Sequence, residues 1–318
     1  MTMWRRNWYA LLALLLVGSA DAEVLGVRGS QGQIEFYGAE SNTLLLNPMP
    51  NPCCGIAVGA SARDANSNRH WLGTTSAATG TRLHAIDASG IATPLPFDSS
   101  ERIEALAYDS PRQELLALVR RSDADGLRVH RYGAATGLAL GSADVAGTCC
   151  TLRSGVSAWS NSQRAFVVVG RGAVDQPLAI WVIRHDGLAS EHASALAATT
   201  TALAVNQTTL TLYGLQTTDA AMATTTLNQI ALGAGIAGYA NVGAGEVDCC
   251  FVLAGPAAIA NGKLQVYARP LLSSSAALHQ FDLATGVVTV LPTTAPAAAL
   301  HDDAAVPVLV VLFRDGFE

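Results

Sequence analysis

Five hairpin-like segments recur along the chain at nearly constant spacing, each with a glycine at its turn. They read LHAIDASGIATPLP from Leu83, LRVHRYGAATGLALG from Leu127, LAIWVIRHDGLAS from Leu178, TLNQIALGAGIAGYA from Thr226 and LHQFDLATGVVTVLP from Leu278. Their turn glycines, Gly90, Gly137, Gly187, Gly235 and Gly286, stand 47, 50, 48 and 51 residues apart. Apolar and polar residues alternate on both sides of each turn, a pattern that predicts strand, tight turn, strand. A period of this length marks a repeated supersecondary unit that buries its apolar face only against the next copy. A sixth, imperfect copy, QIEFYGAESNTLLLN, starts at Gln33.

A second apolar pair lies between successive hairpins, for example IEALAYDSPRQELLALV from Ile103 and TALAVNQTTLTLYGL from Thr201. Four strands per period is the arithmetic of a propeller blade, since such repeats take about 40–50 residues. The expected fold is therefore all-β: a six-bladed β-propeller of four-stranded antiparallel blades. The N-terminal hairpin lacks inner strands of its own, and AVPVLVVLF, Ala305 to Phe313, is the segment expected to pair with it. Pairing of N- and C-terminal strands would close the ring and remove unpaired backbone edges. A solenoid of stacked hairpins is the competing architecture, and it needs end caps that the sequence does not supply. On period and turn chemistry, residues 24–313 resemble secreted six-bladed β-propellers. The turn FDLATG, Phe281 to Gly286, also resembles the repeat of pyrroloquinoline quinone-dependent dehydrogenases, but Trp71, Trp159 and Trp181 do not recur in register with the turns as that family's do.

The ends of the chain bear on compartment. Residues 1–22 read as a signal peptide, with Arg5 and Arg6 before an apolar run from Trp8 to Val17 and an Ala20-Asp21-Ala22 cleavage site. That run is shorter than the roughly 20 residues a bilayer span requires. The expected product is secreted or periplasmic, with one propeller domain over 23–313 and a tail over 314–318. The terminus LFRDGFE resembles a short tail of exported proteobacterial proteins; a plain strand and turn reads equally well. Formal net charge is −6 for the whole chain, and Lys263 is its only lysine. With no basic cluster, nucleic acid and anionic membranes are unsuitable partners, because both are held through Lys/Arg neutralisation. A monomer that binds a protein, a glycan or a small molecule is the expectation.

The six cysteines occur as three doublets, Cys53-Cys54, Cys149-Cys150 and Cys249-Cys250, separated by 96 and 100 residues. Each interval is two repeat periods, so alternate blades carry a doublet. In the propellers this chain resembles, the connection concerned arrives near the central channel, which implies a ring of sulfurs at its mouth. Export favours disulfides. Adjacent partners are about 3.8 Å apart at Cα, below the usual range for a bridge of about 4.4–6.8 Å, so three vicinal disulfides would be strained. Bridges between doublets would have to span alternate blades, beyond the roughly 7 Å between Cα atoms that a bridge can reach, so three vicinal disulfides are the expectation. Metal coordination by thiolates and buried reduced thiols are the other readings, the former against the usual C-x₂₋₄-C spacing. A redox-active dithiol is opposed by the lack of any C-x-x-C.

Glu104, Asp302 and Asp303 stand at the equivalent entrance in blades without a doublet. Carboxylates there are similar in location to those of gluconolactonase-like propellers, which implies calcium as the candidate ion and a metal-dependent hydrolase of lactonase type as the alternative function. Solvated loop acids are the plainer reading, and the expectation is no cofactor and no catalytic residue. The G-x-G-x-x-G at Gly233 sits in a repeat turn without the helix that a dinucleotide needs. Asp64 to Asn68 opens like a calcium loop, but Arg69 replaces its glycine, so a polar hairpin tip is expected. His84, His130 and His279 recur near one repeat position and are read as structural. The expectation is thus an exported binding module with its ligand face at the doublet end of the channel.

Overall fold

A computed structural model of the 318-residue chain describes residues 25–30, 33–40, 44–50, 55–76, 80–122, 126–147, 150–218, 224–243, 247–248, 251–269, 276–292 and 299–301. The strands among the described residues form six antiparallel sheets. The first blade runs outward through Gly55–Asp64, Arg69–Ser76, Gly80–Ile86 and Ala92–Pro94, and the second through Arg102–Asp109, Glu114–Arg120, Leu127–Gly133 and Ala139–Asp144. The third, fourth and fifth start with inner strands Thr151–Ser160, Thr200–Asn206 and Phe251–Ala260. In each, the hairpins read from the sequence are the outer two strands, and the second apolar pairs are the inner two.

The remaining sheet combines both ends of the chain, in the order Ala299–His301, Leu25–Ser30, Gln33–Gly38, Leu44–Pro50. Two details differ from the sequence reading. The N-terminus supplies three strands rather than a hairpin, because LGVRGS at Leu25–Ser30 carries two glycines and gives little strand signal on its own. The C-terminal strand beside it is Ala299–His301, with Leu25 opposite His301 and Val27 opposite Ala299. Residues 305–313, expected in that role, lie outside the described residues, as do the signal segment 1–22 and the tail 314–318.

Every sheet buries both faces, because the cores lie between neighbouring blades. Leu116 and Leu118 of the second blade pack with Phe166 and Val168 of the third, and Leu203 of the fourth packs on Val167 and Ile180 of the third. Tyr213 and Leu215 meet Leu264 and Phe281 across the next seam. Phe36 and Val27 of the composite sheet pack on Leu72 and Ile86 of the first blade, while Ala39 packs with Ala258 and Tyr267 of the fifth. The fifth–composite seam is partly polar: the Tyr37 and Tyr267 hydroxyls are hydrogen-bonded at 2.8 Å, and Glu40 accepts from the side-chain amides of Gln265 and Gln280.

The recurrent turn glycine has a physical cause. Gly137, Gly187, Gly235 and Gly286 all have positive φ, between +69° and +85°, where a side chain is strained. Three of them also receive the outer strand of the preceding blade. A Cβ on Gly137 would overlap Leu95, one on Gly187 the carbonyl oxygen of Asp144, and one on Gly286 that of Val242. Ala146 N–H donates to the Gly187 carbonyl, and Ala193 N–H to that of Gly235, each at 2.9 Å. The period of the turn glycines is therefore a record of blade-to-blade docking as well as of hairpin turns.

The turns themselves are closed by side chains. Asp282 accepts from the N–H groups of Ala284 and Thr285 and from the Thr285 hydroxyl, and Asp87 accepts from Ser89 and Ile91 in the same way. These bonds hold both carboxyls below the usual range. Behind the turns, His84 and His279 are buried in the third strands of their blades. His84 Nε2 is hydrogen-bonded to Thr74 Oγ1 at 3.3 Å, and His279 Nδ1 to the Ala277 carbonyl at 3.1 Å. Burial is the main cause lowering both imidazoles below the ordinary histidine value. The unfolded chain therefore binds more protons than the native one below about pH 6.5. Stability contributed by these groups is present above that pH and is lost as pH falls toward the lowered native values. Urea unfolding at about pH 7.5 and about pH 5.5 should show the loss, and His84→Gln should reduce the pH dependence.

Candidate functional site

The inner strands meet around an axis, each touching the next and Ala299–His301 touching Gly55–Asp64. Those of the first, third and fifth blades, which follow the cysteine doublets, also touch one another across the axis. Each has the same irregularity. Ile56 pairs with Thr74 and Ser61 with Leu72; Leu152 pairs with Gly170 and Ser157 with Val168; Val252 pairs with Ala268 and Ala257 with Val266. Five residues thus advance where the partner advances by two, and the extra residues bulge toward the axis. A glycine falls inside each bulge, five residues after the second cysteine: Gly59, Gly155 and Gly255. Gly59 and Gly155 have φ of +77° and +75°, and a Cβ on Gly59 would lie 3.4 Å from the Gly155 Cα. The two backbones lie close together there, and the left-handed φ, more than lack of space, is what favours glycine.

Beyond these glycines, toward the C-terminal ends of the inner strands, is an axial cavity of about 380 Å³. Its floor is Gly59 and Gly155, its walls are small residues such as Ser61, Ala107, Ser157, Ala204 and Ala257, and five blades contribute. It opens among the turns that follow the inner strands, where Asp64, Asn66, Ser110, Asn161 and Gln207 form a polar rim.

Side chains at the rim are fixed by their own hydrogen bonds. Trp159 Nε1–H donates to Asn161 Oδ1 at 2.7 Å, and its ring meets Phe166 edge-on with centroids 5.0 Å apart. Gln207 links two blades: its amide nitrogen donates to the Trp159 carbonyl at 2.6 Å, and its amide oxygen accepts from Asn161 N–H at 3.1 Å. Asp64 accepts from Asn66 N–H and the Ser67 hydroxyl, so the calcium-like stretch is the polar hairpin tip that was expected. Tyr108 stacks on Trp71 at 5.2 Å. Burial, with the Asp64 carboxylate beside it, pushes the Tyr108 phenol up to about 12. Its buried hydroxyl lies near Asp64 and Gln113 but in hydrogen-bonding geometry with neither.

Of the residues nominated from sequence at the doublet end, two are described. Glu104 is 5% exposed, and its Oε1 accepts from Arg102 at 2.6 Å and from Arg120 at 2.9 Å. Two guanidinium groups satisfy this carboxylate and repel a cation, so it is not a vacant acid of a calcium site. Arg120 also reaches the Cys150 carbonyl at 3.4 Å. Cys150 is buried. Cys53, Cys54, Cys149, Cys249, Cys250, Asp302 and Asp303 lie outside the described residues. Among the described residues no group of three His, Cys, Asp or Glu side chains is placed to hold a metal ion, and no helix is long and apolar enough to cross a membrane.

The sequence reading missed this axial cavity and its rim. A signal was available in the recurrence of a glycine five residues after each doublet, which marks where three strands converge.

No protein-family model matches the chain, and no curated protein sequence matches it. Solved structures do. A chain of a nidogen–laminin complex is 12% identical, with 88% of this chain and 97% of that one covered at a TM-score of 0.58. TolB from Acinetobacter baumannii is 8% identical, with coverages of 92% and 70% and a TM-score of 0.61. The β-propeller domain of the Trilobed protease from Pyrococcus furiosus, which has an open velcro topology, is 11% identical, with coverages of 86% and 83% and a TM-score of 0.52. Likeness at such low identity speaks for fold alone, and with the sheets described above it makes this chain a β-propeller of four-stranded antiparallel blades.

Proposed function

We propose that this chain is an exported binding module: a six-bladed propeller, closed by its two termini, that takes a small polar ligand in the axial cavity. The observation carrying this reading is a cavity of about 380 Å³ with a polar rim drawn from several blades and fixed by internal hydrogen bonds. Its size is within the range of small-molecule sites, and preorganised polar groups on a rigid scaffold are what such sites use for orientation. Export rests on the N-terminal segment Arg5 to Ala22. In this reading the doublets are vicinal disulfides that stiffen the connections into the converging strands, and the ligand enters from the other face. A lactonase-type hydrolase is disfavoured by the double ion pair of Glu104.

Thermal unfolding with a panel of disaccharides, amino acids, polyamines and nucleosides tests the reading. A ligand at a hundredfold excess over its Kd stabilises by about 2.7 kcal/mol. At least one class should raise the melting temperature of the native chain but not of Ser157→Leu, in which a larger side chain on the wall fills the cavity. A flat response across the panel would remove the binding module.

A further inference from the structure

We propose that the axial cavity is a saccharide site, built for one or two neutral sugar rings; this rests on the cavity being the ligand site. Four observations lead there.

The first is charge. Arg63 and Asp64 are the charged residues of the lining and they are of opposite sign. Both are engaged within the hairpin tip: Asp64 accepts from Asn66 N–H and the Ser67 hydroxyl, and Arg63 Nη2 donates to Asn68 Oδ1. The lining therefore carries no net charge, and a ligand with a net charge, such as a phosphate, would be desolvated there without compensation.

The second is Trp159. Its Nε1–H is already used by Asn161, its carbonyl by Gln207, and its ring is seated against Phe166. What it has left for a ligand is an aromatic face, held in place before binding. An aromatic face with negative quadrupole suits the C–H-bearing face of a sugar ring.

The third is Tyr108, more than nine-tenths buried, lining the cavity, with a hydroxyl that no protein group among the described residues satisfies. Its raised pKa keeps it a donor as well as an acceptor at any physiological pH. A buried hydroxyl without a partner is costly, and a ligand hydroxyl offers both roles in return.

The fourth is the remainder of the polar lining, which consists of hydroxyls and amides. These groups both donate and accept, as polyol recognition requires. The wall of alanines between them accommodates the apolar face of a ring without competing for its hydroxyls.

Titration calorimetry with cellobiose, maltose and N,N′-diacetylchitobiose tests the assignment. At least one should bind with a Kd below about 1 mM. Trp159→Ala should weaken binding about tenfold, Trp159→Phe should restore most of it by returning a flat face, and Ser157→Leu should abolish it. Melting curves of the variants establish that each is folded. If none of the three sugars binds, or if one binds equally to native chain, Trp159→Ala and Ser157→Leu, the saccharide site is overturned. If instead glycine, spermidine or adenosine stabilises the native chain and not Ser157→Leu, the saccharide class falls while the binding module stands. If nothing on the panel does so, both fall.

Discussion

Gly286→Ala is expected to cost about twice as much stability as Gly235→Ala, although both glycines occupy the same turn position with nearly the same backbone. Their φ angles are +71° and +75°, so an alanine at either loses about 1–2 kcal/mol to the left-handed conformation. A Cβ on Gly235 would meet nothing within 4 Å, whereas one on Gly286 would overlap the Val242 carbonyl oxygen and approach Gly243. Backbone cannot swing aside as a side chain can, and overpacking adds about 1–3 kcal/mol. Denaturant unfolding of the two variants separates conformational strain from docking. Equal losses would mean that the outer strand of the fourth blade does not rest on the turn of the fifth.

Arg164→Leu is the second large effect. Asp109 is fully buried, and its Oδ2 accepts from Arg164 Nε; Arg164 Nη2 also donates to Glu114 at 3.1 Å. Glu114 retains Arg131 at 2.8 Å, but among the described residues no other cation is paired with Asp109. The other oxygen, Oδ1, is already without a partner. Removing the guanidinium leaves a buried uncompensated carboxylate, for which the expected loss is about 3–5 kcal/mol. Arg164 has φ +49°, so leucine inherits a backbone conformation that arginine already tolerates, and the change isolates charge. Adding Asp109→Asn to Arg164→Leu should recover part of the loss, because an amide costs far less to bury than an ion. If it recovers none, the damage lies in lost packing rather than in the stranded charge.

The two pairs also show what the sequence could and could not say. The period of the turn glycines led to blades because two independent demands fall on one residue: a left-handed turn and a close approach from the neighbouring blade. A demand met by one residue type at one spacing is visible in a sequence. Asp109 and Arg164, by contrast, are 55 positions apart and lie on inner hairpins of adjacent blades, so only the register between blades brings them together. The histidines at 84 and 279 were legible as strand residues for the same reason as the glycines, since they recur at a repeat position. The composite sheet was half legible: a missing partner for the N-terminal hairpin was evident, but Leu25–Ser30 is too glycine-rich to announce a strand, and a three-residue strand such as Ala299–His301 has no pattern to detect. The convergence of strands on the axis left a trace in Gly59, Gly155 and Gly255, but the polar rim of the cavity was not legible. Its rim includes Trp159, Asn161, Gln207 and Asp64, one or two residues from each of several blades, and such a set has no spacing signature. The doublets drew attention to the axis but not to these rim residues.

The proposed closed ring rests on the pairing of Ala299–His301 with Leu25–Ser30, and shortening the chain to end at Ala298 tests it directly. Without Ala299–His301, the strand Leu25–Ser30 has an unpaired inner edge, and the inner strands of the first and fifth blades lose a neighbour. The account predicts a cooperative loss of several kcal/mol, a drop in melting temperature of about 10 °C, and a tendency to associate through the exposed edge. Melting at the same temperature as the full chain, with unchanged oligomeric state, would contradict it.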